Sequence, residues 1–264
     1  MVAKMTLRER ITTAFKREMP DQIPFTCYQE LAPSAETVSS LNKLGFAVIW
    51  RKEPFYFQQP NVETTVHQIT DEKYPTELIV HKTPVGTLTQ KAVIEPGYGS
   101  RWPTEHFVKG PEDYAVLEFI IRDTICVDDI DGFVEADRDL GDFGMAIPRA
   151  ADPPVLELWR RLTGLERFSY DWHDCREEVQ RVLDALSERN GKIWEIAANT
   201  PCDFSCSGGN MTGDVVSPKM FDTLIMPHFE AEAAVMHGAG KTTLNHMDGM
   251  LKSLVDVIAR CPID

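Results

Sequence analysis

Short apolar runs that alternate with amphipathic helical stretches limit this chain's fold more than any other feature. Ile23-Pro24-Phe25-Thr26-Cys27-Tyr28 and Phe46-Ala47-Val48-Ile49-Trp50 are too short for helices and too apolar for water, so they read as buried strands. Between them Ser34 can cap a helix running to Leu44, and Gly45 supplies its stop. Strand, helix, strand is the unit of a parallel sheet, because parallel neighbours need a crossover. Ahead of it, Thr6 with Glu9 forms a capping box, and Leu7, Ile11, Ala14 and Phe15 make one apolar face.

The rhythm returns beyond residue 110, with helices expected at 111–122, 128–140, 154–162 and 165–172. Asp174 with Glu177 reads as a cap opening a helix that shows Val179, Val182, Leu183 and Leu186 on one face. Ser217 and Pro218 start another helix, which Pro227 must break or kink. Five parallel-type strands are expected, at 23–28, 46–50, 143–147, 193–198 and 242–246. From about 62 to 110 the pattern changes: Val62–Ile69 and Thr76–Thr83 partly alternate, and Thr83-Pro84-Val85-Gly86 reads as a turn into a third strand. That alternation predicts an inserted antiparallel meander with one wet face. The stretch 96–111, rich in Gly and Pro, reads as a loop.

Five such units suit an open doubly wound sheet or most of a barrel. The chain stops at Cys261-Pro262-Ile263-Asp264, where a strand is due. The expected fold is therefore a single α/β domain over 1–264, a (β/α)8 TIM barrel truncated after about five parallel strands. With 27 basic and 41 acidic side chains, the formal net charge is −14. That excess repels phosphate backbones and anionic lipid, so nucleic-acid and membrane partners are not expected. The N-terminal residues Met1 to Arg10 lack a signal-peptide core, and six cysteines without a small-scaffold spacing read as reduced thiols, so a cytoplasmic protein is expected.

Asn245-His246-Met247-Asp248-Gly249 is the leading site candidate, because it lies where a strand ends and His246 and Asp248 point the same way from extended backbone. Imidazole and carboxylate suit zinc, but two ligands do not complete such a site. Asn210, in the glycine-rich run 207–213, can donate to a carboxylate or carbonyl from a loop over the site. Glu195 falls inside an apolar run and is either a buried acid/base group or an outward partner for a basic side chain. Cys202 and Cys206 read as ordinary buried thiols, and His67, His81, His173 and His228 as surface histidines. Gly238-Ala239-Gly240-Lys241-Thr242-Thr243 ends like a phosphate loop, but Val235 stands where a glycine is required and the helix precedes the strand.

Several segments together resemble the uroporphyrinogen decarboxylase superfamily. Thr6 to Phe15 with Pro20 to Phe25 is similar to its first helix and strand, and Thr83 to Leu88 to the hairpin of its methyltransferase-like branch. Ser217-Pro218-Lys219-Met220-Phe221 with Met226-Pro227 is similar to a later helix, and His246-Met247-Asp248-Gly249 stands where the family carries His-x-Cys-Gly. The resemblance implies the (β/α)8 barrel and either of two activities. Porphyrinogen decarboxylation is disfavoured, since the loop Tyr28-Gln29-Glu30-Leu31-Ala32-Pro33 has no arginine where that activity carries several. The other branch moves methyl groups between a corrinoid protein and a small-molecule donor or acceptor, its thiol-directed members through zinc. The resemblance thus implies a corrinoid on a partner protein as cofactor and gives zinc only through His246 and Asp248, the latter in place of cysteine. Without metal, His246 and Asp248 act as a proton relay. Tyr28 and Asn245 join Asn210 as substrate-binding candidates. The remaining alternative is a non-catalytic barrel or binding subunit, and an exposed sheet edge favours homo-oligomers.

Overall fold

The computed structural model describes residues 4–31, 34–70, 73–97 and 99–264. Met1 to Ala3 and the loop residues Ala32 and Pro33 lie outside them, as does Tyr98 of the expected 96–111 loop. The strands are β1 (Phe25–Tyr28), β2 (Phe46–Lys52), β3 (Phe55–Gln58), β4 (Glu63–Ile69), β5 (Thr76–Thr83) and β6 (Gly86–Ile94). They continue with β7 (Arg101–Glu105), β8 (Ile125–Asp128), β9 (Gly144–Pro148), β10 (Phe204–Asn210) and β11 (Thr242–Asp248). The helices are α1 (Leu7–Phe15), α2 (Ala35–Lys43), α3 (Asp113–Arg122), α4 (Ile130–Leu140) and α5 (Pro154–Glu157). After these come α6 (Leu165–Asp174), α7 (Arg176–Ala198), α8 (Pro218–Met220), α9 (Met226–Gly238) and α10 (Val255–Ile258).

The strands β1, β2 and β9 form one parallel sheet in that order, and β10 and β11 form a second parallel pair. A bridge between Arg149 and Cys206 joins the two, so five parallel strands run side by side as β1-β2-β9-β10-β11. This array corrects the expected barrel. Among the described residues β1 pairs only with β2 and β11 only with β10, so the sheet does not close, and the other sheets are antiparallel. The architecture is mixed α/β with an open parallel array.

Four of the five expected parallel strands form close to their expected places; the run 193–198 does not. It is the last part of α7, whose buried positions Val179, Val182, Leu183, Leu186, Asn190, Ile193, Trp194 and Ala197 keep a helical period past Gly191. The missing strand is β10, made of Phe204-Ser205-Cys206-Ser207-Gly208-Gly209-Asn210. Small polar residues and glycines read as a loop, yet pairing with β11 and helix cover on its outer face make this a strand. Similarly, the expected loop after residue 96 contains β7, and the insertion is a four-stranded meander in the order β4-β5-β6-β7. Its β5–β6 turn closes on Thr83, whose Oγ1 accepts from the backbone N–H of Gly86 at 3.1 Å.

Caps follow the sequence in part. Thr6 and Glu9 make the full capping box, Ser34 Oγ accepts from Thr37 N–H, and Ser217 Oγ accepts from Met220 N–H. Asp174 is not a cap: the N-cap of α7 is Cys175 and makes no side-chain bond. Pro227 cannot donate to the preceding turn, and the chain widens into a π-helical turn over Phe221–Ile225 before α9 begins.

The inner face of the array is apolar at its N-terminal end. Ala47 and Ile49 of β2, Met145 and Ile147 of β9 and Phe204 of β10 pack together under α1, which contributes Ile11 and, at its edge, Leu7 and Phe15. Phe15 meets Phe204 edge to face at 5.3 Å. This plug, with Phe15 in its wall, forms the floor of the cavity above it. The larger core lies outside, where α3, α6, α7 and α9 pack against one another and against the meander. No helix among the described residues is long and apolar enough to cross a membrane.

Gly144 opens β9 in register with Val48, and a Cβ there would stand 2.3 Å from the Val48 carbonyl oxygen. Backbone cannot yield as a side chain can, so Gly144→Ala is expected to destabilise the fold by about 3 kcal/mol. Urea unfolding of the two proteins measures it; a loss below about 1 kcal/mol would show that β2 and β9 are not held as tightly as this contact requires.

Candidate functional site

Alternation along each parallel strand carries the inner face from apolar to polar. Ile49 leads to Arg51, Ile147 to Arg149, Cys206 to Gly208 and Asn210, and Leu244 to His246 and Asp248. Polar groups therefore gather at the C-terminal strand ends around a cavity of about 880 Å³, walled by Tyr28, Ile49, Arg51, Cys206, Leu244 and His246 among others.

At its mouth His246 stands between two partners. Its Nδ1 lies 3.3 Å from the Tyr28 hydroxyl, and its Nε2 lies 3.5 Å from Asp248 Oδ2. With the Tyr28 O–H donating to Nδ1, the neutral ring carries its proton on Nε2 facing the Asp248 carboxylate; a ring protonated on both nitrogens donates from Nδ1 to the Tyr28 oxygen instead. The sequence brought Tyr28 and the His246–Asp248 pair forward from opposite ends of the chain; the fold sets β1 and β11 across one cavity. Arg51 lies over the Tyr28 ring, its guanidinium carbon 3.8 Å from the centroid. His246 and Asp248 are 44% and 49% exposed, so a ligand or second protein can reach them.

The other expected site residues divide. Asn210 stands at the end of β10, in register with Asp248, on the wall of a smaller recess next to His246. It is a strand end rather than part of a mobile loop. Asn245 points to the opposite face, where its Nδ2 donates to Ser207 Oγ at 2.8 Å. That side chain ties β11 to β10, while the residue forms part of the wall of the larger cavity and not of the smaller recess. Glu195 is on the solvent face of α7, paired with Lys192 at 3.1 Å, and has no place in the site. Its apolar neighbours are the buried stripe of a helix, and Glu195 is on the stripe's far side. Lys241 of the false phosphate loop is buried, its Nζ donating to the Thr200 carbonyl at 2.6 Å.

His246 and Asp248 supply one nitrogen and one oxygen toward a metal. Among the described residues no group of three or more His, Cys, Asp or Glu side chains is placed to hold a metal ion, so His246 and Asp248 alone fall short of the donors zinc needs. Burial pushes the Cys206 thiol up to about 11, which leaves it protonated at neutral pH.

Sequence reasoning missed two groups. Arg51, Arg149 and Arg160 line the recess beside His246, and the first two stand at or just past strand ends, the rule that selected His246. His228, expected at the surface, is instead buried behind β10 with Glu232 one helical turn on. Their i,i+4 spacing on α9 was the available signal. His228 Nε2 donates to the Ala151 carbonyl at 3.2 Å, and burial lowers its pKa to about 3. Burial pushes the Glu232 carboxyl up to about 8; Ser207 faces it, but neither carboxyl oxygen closes a hydrogen bond among the described residues. Both side chains are therefore neutral at pH 7 despite standing 3.6 Å apart.

The signs of the two shifts differ. Glu232 ionises near 4.5 when unfolded, so its contribution is full below that pH and is lost as pH rises toward 8. His228 takes its proton near 6.5 when unfolded, so stability is lost as pH falls from there toward 3. Above pH 6.5 Glu232 acts alone. Glu232→Gln is expected to flatten the fall in thermal midpoint between pH 6.5 and 8 and to be more stable at pH 8 by on the order of 2 kcal/mol. Parallel pH slopes in the two proteins would mean that the carboxyl is ionised in the folded state.

No protein-family model matches the chain, and no curated protein matches it.

Proposed function

We propose that the chain is a cytoplasmic enzyme that moves a methyl group between a small molecule, held in the cavity, and a corrinoid protein. The observation that carries the acid–base part is the Tyr28–His246–Asp248 line at the cavity mouth. The resemblance of the opening helix and strand, the Thr83–Leu88 hairpin and the His246–Gly249 strand end to the methyltransferase-like branch supports methyl transfer in particular. Six unpaired cysteines fit a reducing compartment.

Demethylation of an oxygen or nitrogen donor leaves both electrons of the broken bond on that heteroatom. It must take a proton, and protonated His246 is the group placed to give it. In that state Nε2–H faces the Asp248 carboxylate and Nδ1–H donates to the Tyr28 oxygen, so the two partners fix the ring from both sides. A reduced corrinoid on a partner protein would supply the nucleophile that accepts the methyl group, and the exposed His246 and Asp248 leave it an approach. Ile49, Ile147 and Leu244 wall the cavity and keep water from the apolar part of the donor.

His246→Gln should lower the rate of methyl transfer by about 10²–10⁴, the usual range for a positioned acid, and Asp248→Asn by about tenfold or more. The assay follows methylcobalamin formation from free cob(I)alamin and a panel of O-methyl and N-methyl donors. No transfer by the wild-type protein from any of them, or an unimpaired His246→Gln variant, would sink the reading.

A further inference from the structure

We propose that the substrate is a carboxylate, its charged end held in the recess between Arg51, Arg149 and Arg160 and its apolar body in the adjoining cavity. The recess measures about 230 Å³ and shares Arg51, Cys206 and His246 with the larger cavity, so one molecule can occupy both. Three guanidiniums and a single carboxylate, Asp152, line it. In a chain of net charge −14, that convergence runs against the background.

The donors are not used up by the protein. Arg160 reaches Asp152 at 3.3 Å, but the guanidinium of Arg149 meets Asp152 and Glu53 only at 4.0 Å and makes no hydrogen bond among the described residues. Arg51 touches Glu30 only at 3.4 Å and through one terminal nitrogen. An arginine fork fits the paired oxygens of a carboxylate. Gly208 and Gly209 present no side chain on the β10 wall, and Asn210 stands beside them with a further amide. Asp152 takes up part of the positive charge, which suits a singly charged group better than a dianion such as phosphate. An acid group seated here places the rest of the molecule beside His246.

The inference rests on the cavity being the substrate site of the reaction proposed above, so binding is measured apart from turnover. Benzoate and its neutral isostere benzamide serve as probes in calorimetric titrations at pH 7. Benzoate should bind about tenfold or more tighter than benzamide, and sodium chloride should weaken only benzoate. Arg149→Gln and Arg160→Gln should each cost benzoate about fivefold or more and leave benzamide unchanged, with Arg149→Lys in between. Circular dichroism establishes that each variant is folded, and Arg149→Lys keeps the test open if a glutamine variant is not. Equal affinity for the two probes, no benzoate binding, tighter binding of inorganic phosphate, or arginine variants without effect would each overturn the proposal. Arginine-dependent benzoate binding in a protein that transfers no methyl group would leave this inference standing and remove the reaction instead. Methyl transfer that ignores the arginines would do the reverse.

Discussion

Two backbone hydrogen bonds hold the parallel array together where it is narrowest. Arg149 N–H donates to the Lys52 carbonyl at 2.9 Å, and Ala150 N–H donates to the Cys206 carbonyl at 2.8 Å. The first extends the β2–β9 pairing; the second joins the three-stranded sheet to the β10–β11 pair. Without that seam, Arg51 and Arg149 would belong to one sheet and Asn210, His246 and Asp248 to another. The seam brings the polar strand ends of both sheets to one cavity, and α1 fills the end below it. Site geometry thus depends on main-chain bonds that are indifferent to most side-chain changes nearby.

The outer face of the same seam carries an unusual polar interior. Ser205, Ser207, Asn245, His228 and Glu232 all place buried polar atoms there, several without partners among the described residues. Such groups are costly in a core and persist where they are hydrated or neutral. Keeping Glu232 protonated and His228 unprotonated is the cheaper solution, because two charges in that position would lose their hydration for a single contact near 3.6 Å. Through Ser207 and Asn245 this layer touches the strands that carry Gly208 and His246, so the site rests on a polar support rather than a purely apolar one.

How far the site could be read from the sequence depended on the kind of signal. His246 and Asp248 were legible because a strand end and a two-residue spacing are local facts. Glu195 misled because its neighbours are apolar, and a short apolar run is ambiguous between a buried strand and one stripe of a helix. The helical period from Val179 to Ala197 resolves it once Gly191 is allowed inside the helix. Phe204–Asn210 was hidden for the opposite reason: serine and glycine have little preference for strands, and only pairing along β11 makes them one. The i,i+4 spacing of His228 and Glu232 showed that they share a helix face, but their protonation states come from burial, which residue type does not record.

By itself the sequence determined the alternating strands and helices, the parallel pairing that follows from them, the antiparallel insertion and the caps at Thr6, Ser34 and Ser217. Those features are set by interactions within a few residues, which periodicity and side-chain type record directly. Tertiary structure alone decided that the array stays open, that α7 runs on to Ala198 while β10 takes the strand position, and that Tyr28 meets His246 across the cavity. It also decided that three arginines from β2, the end of β9 and the turn after α5 converge on one recess. Each of these depends on which distant segments share a surface, and free energy of that kind belongs to pairs of segments that no local pattern contains.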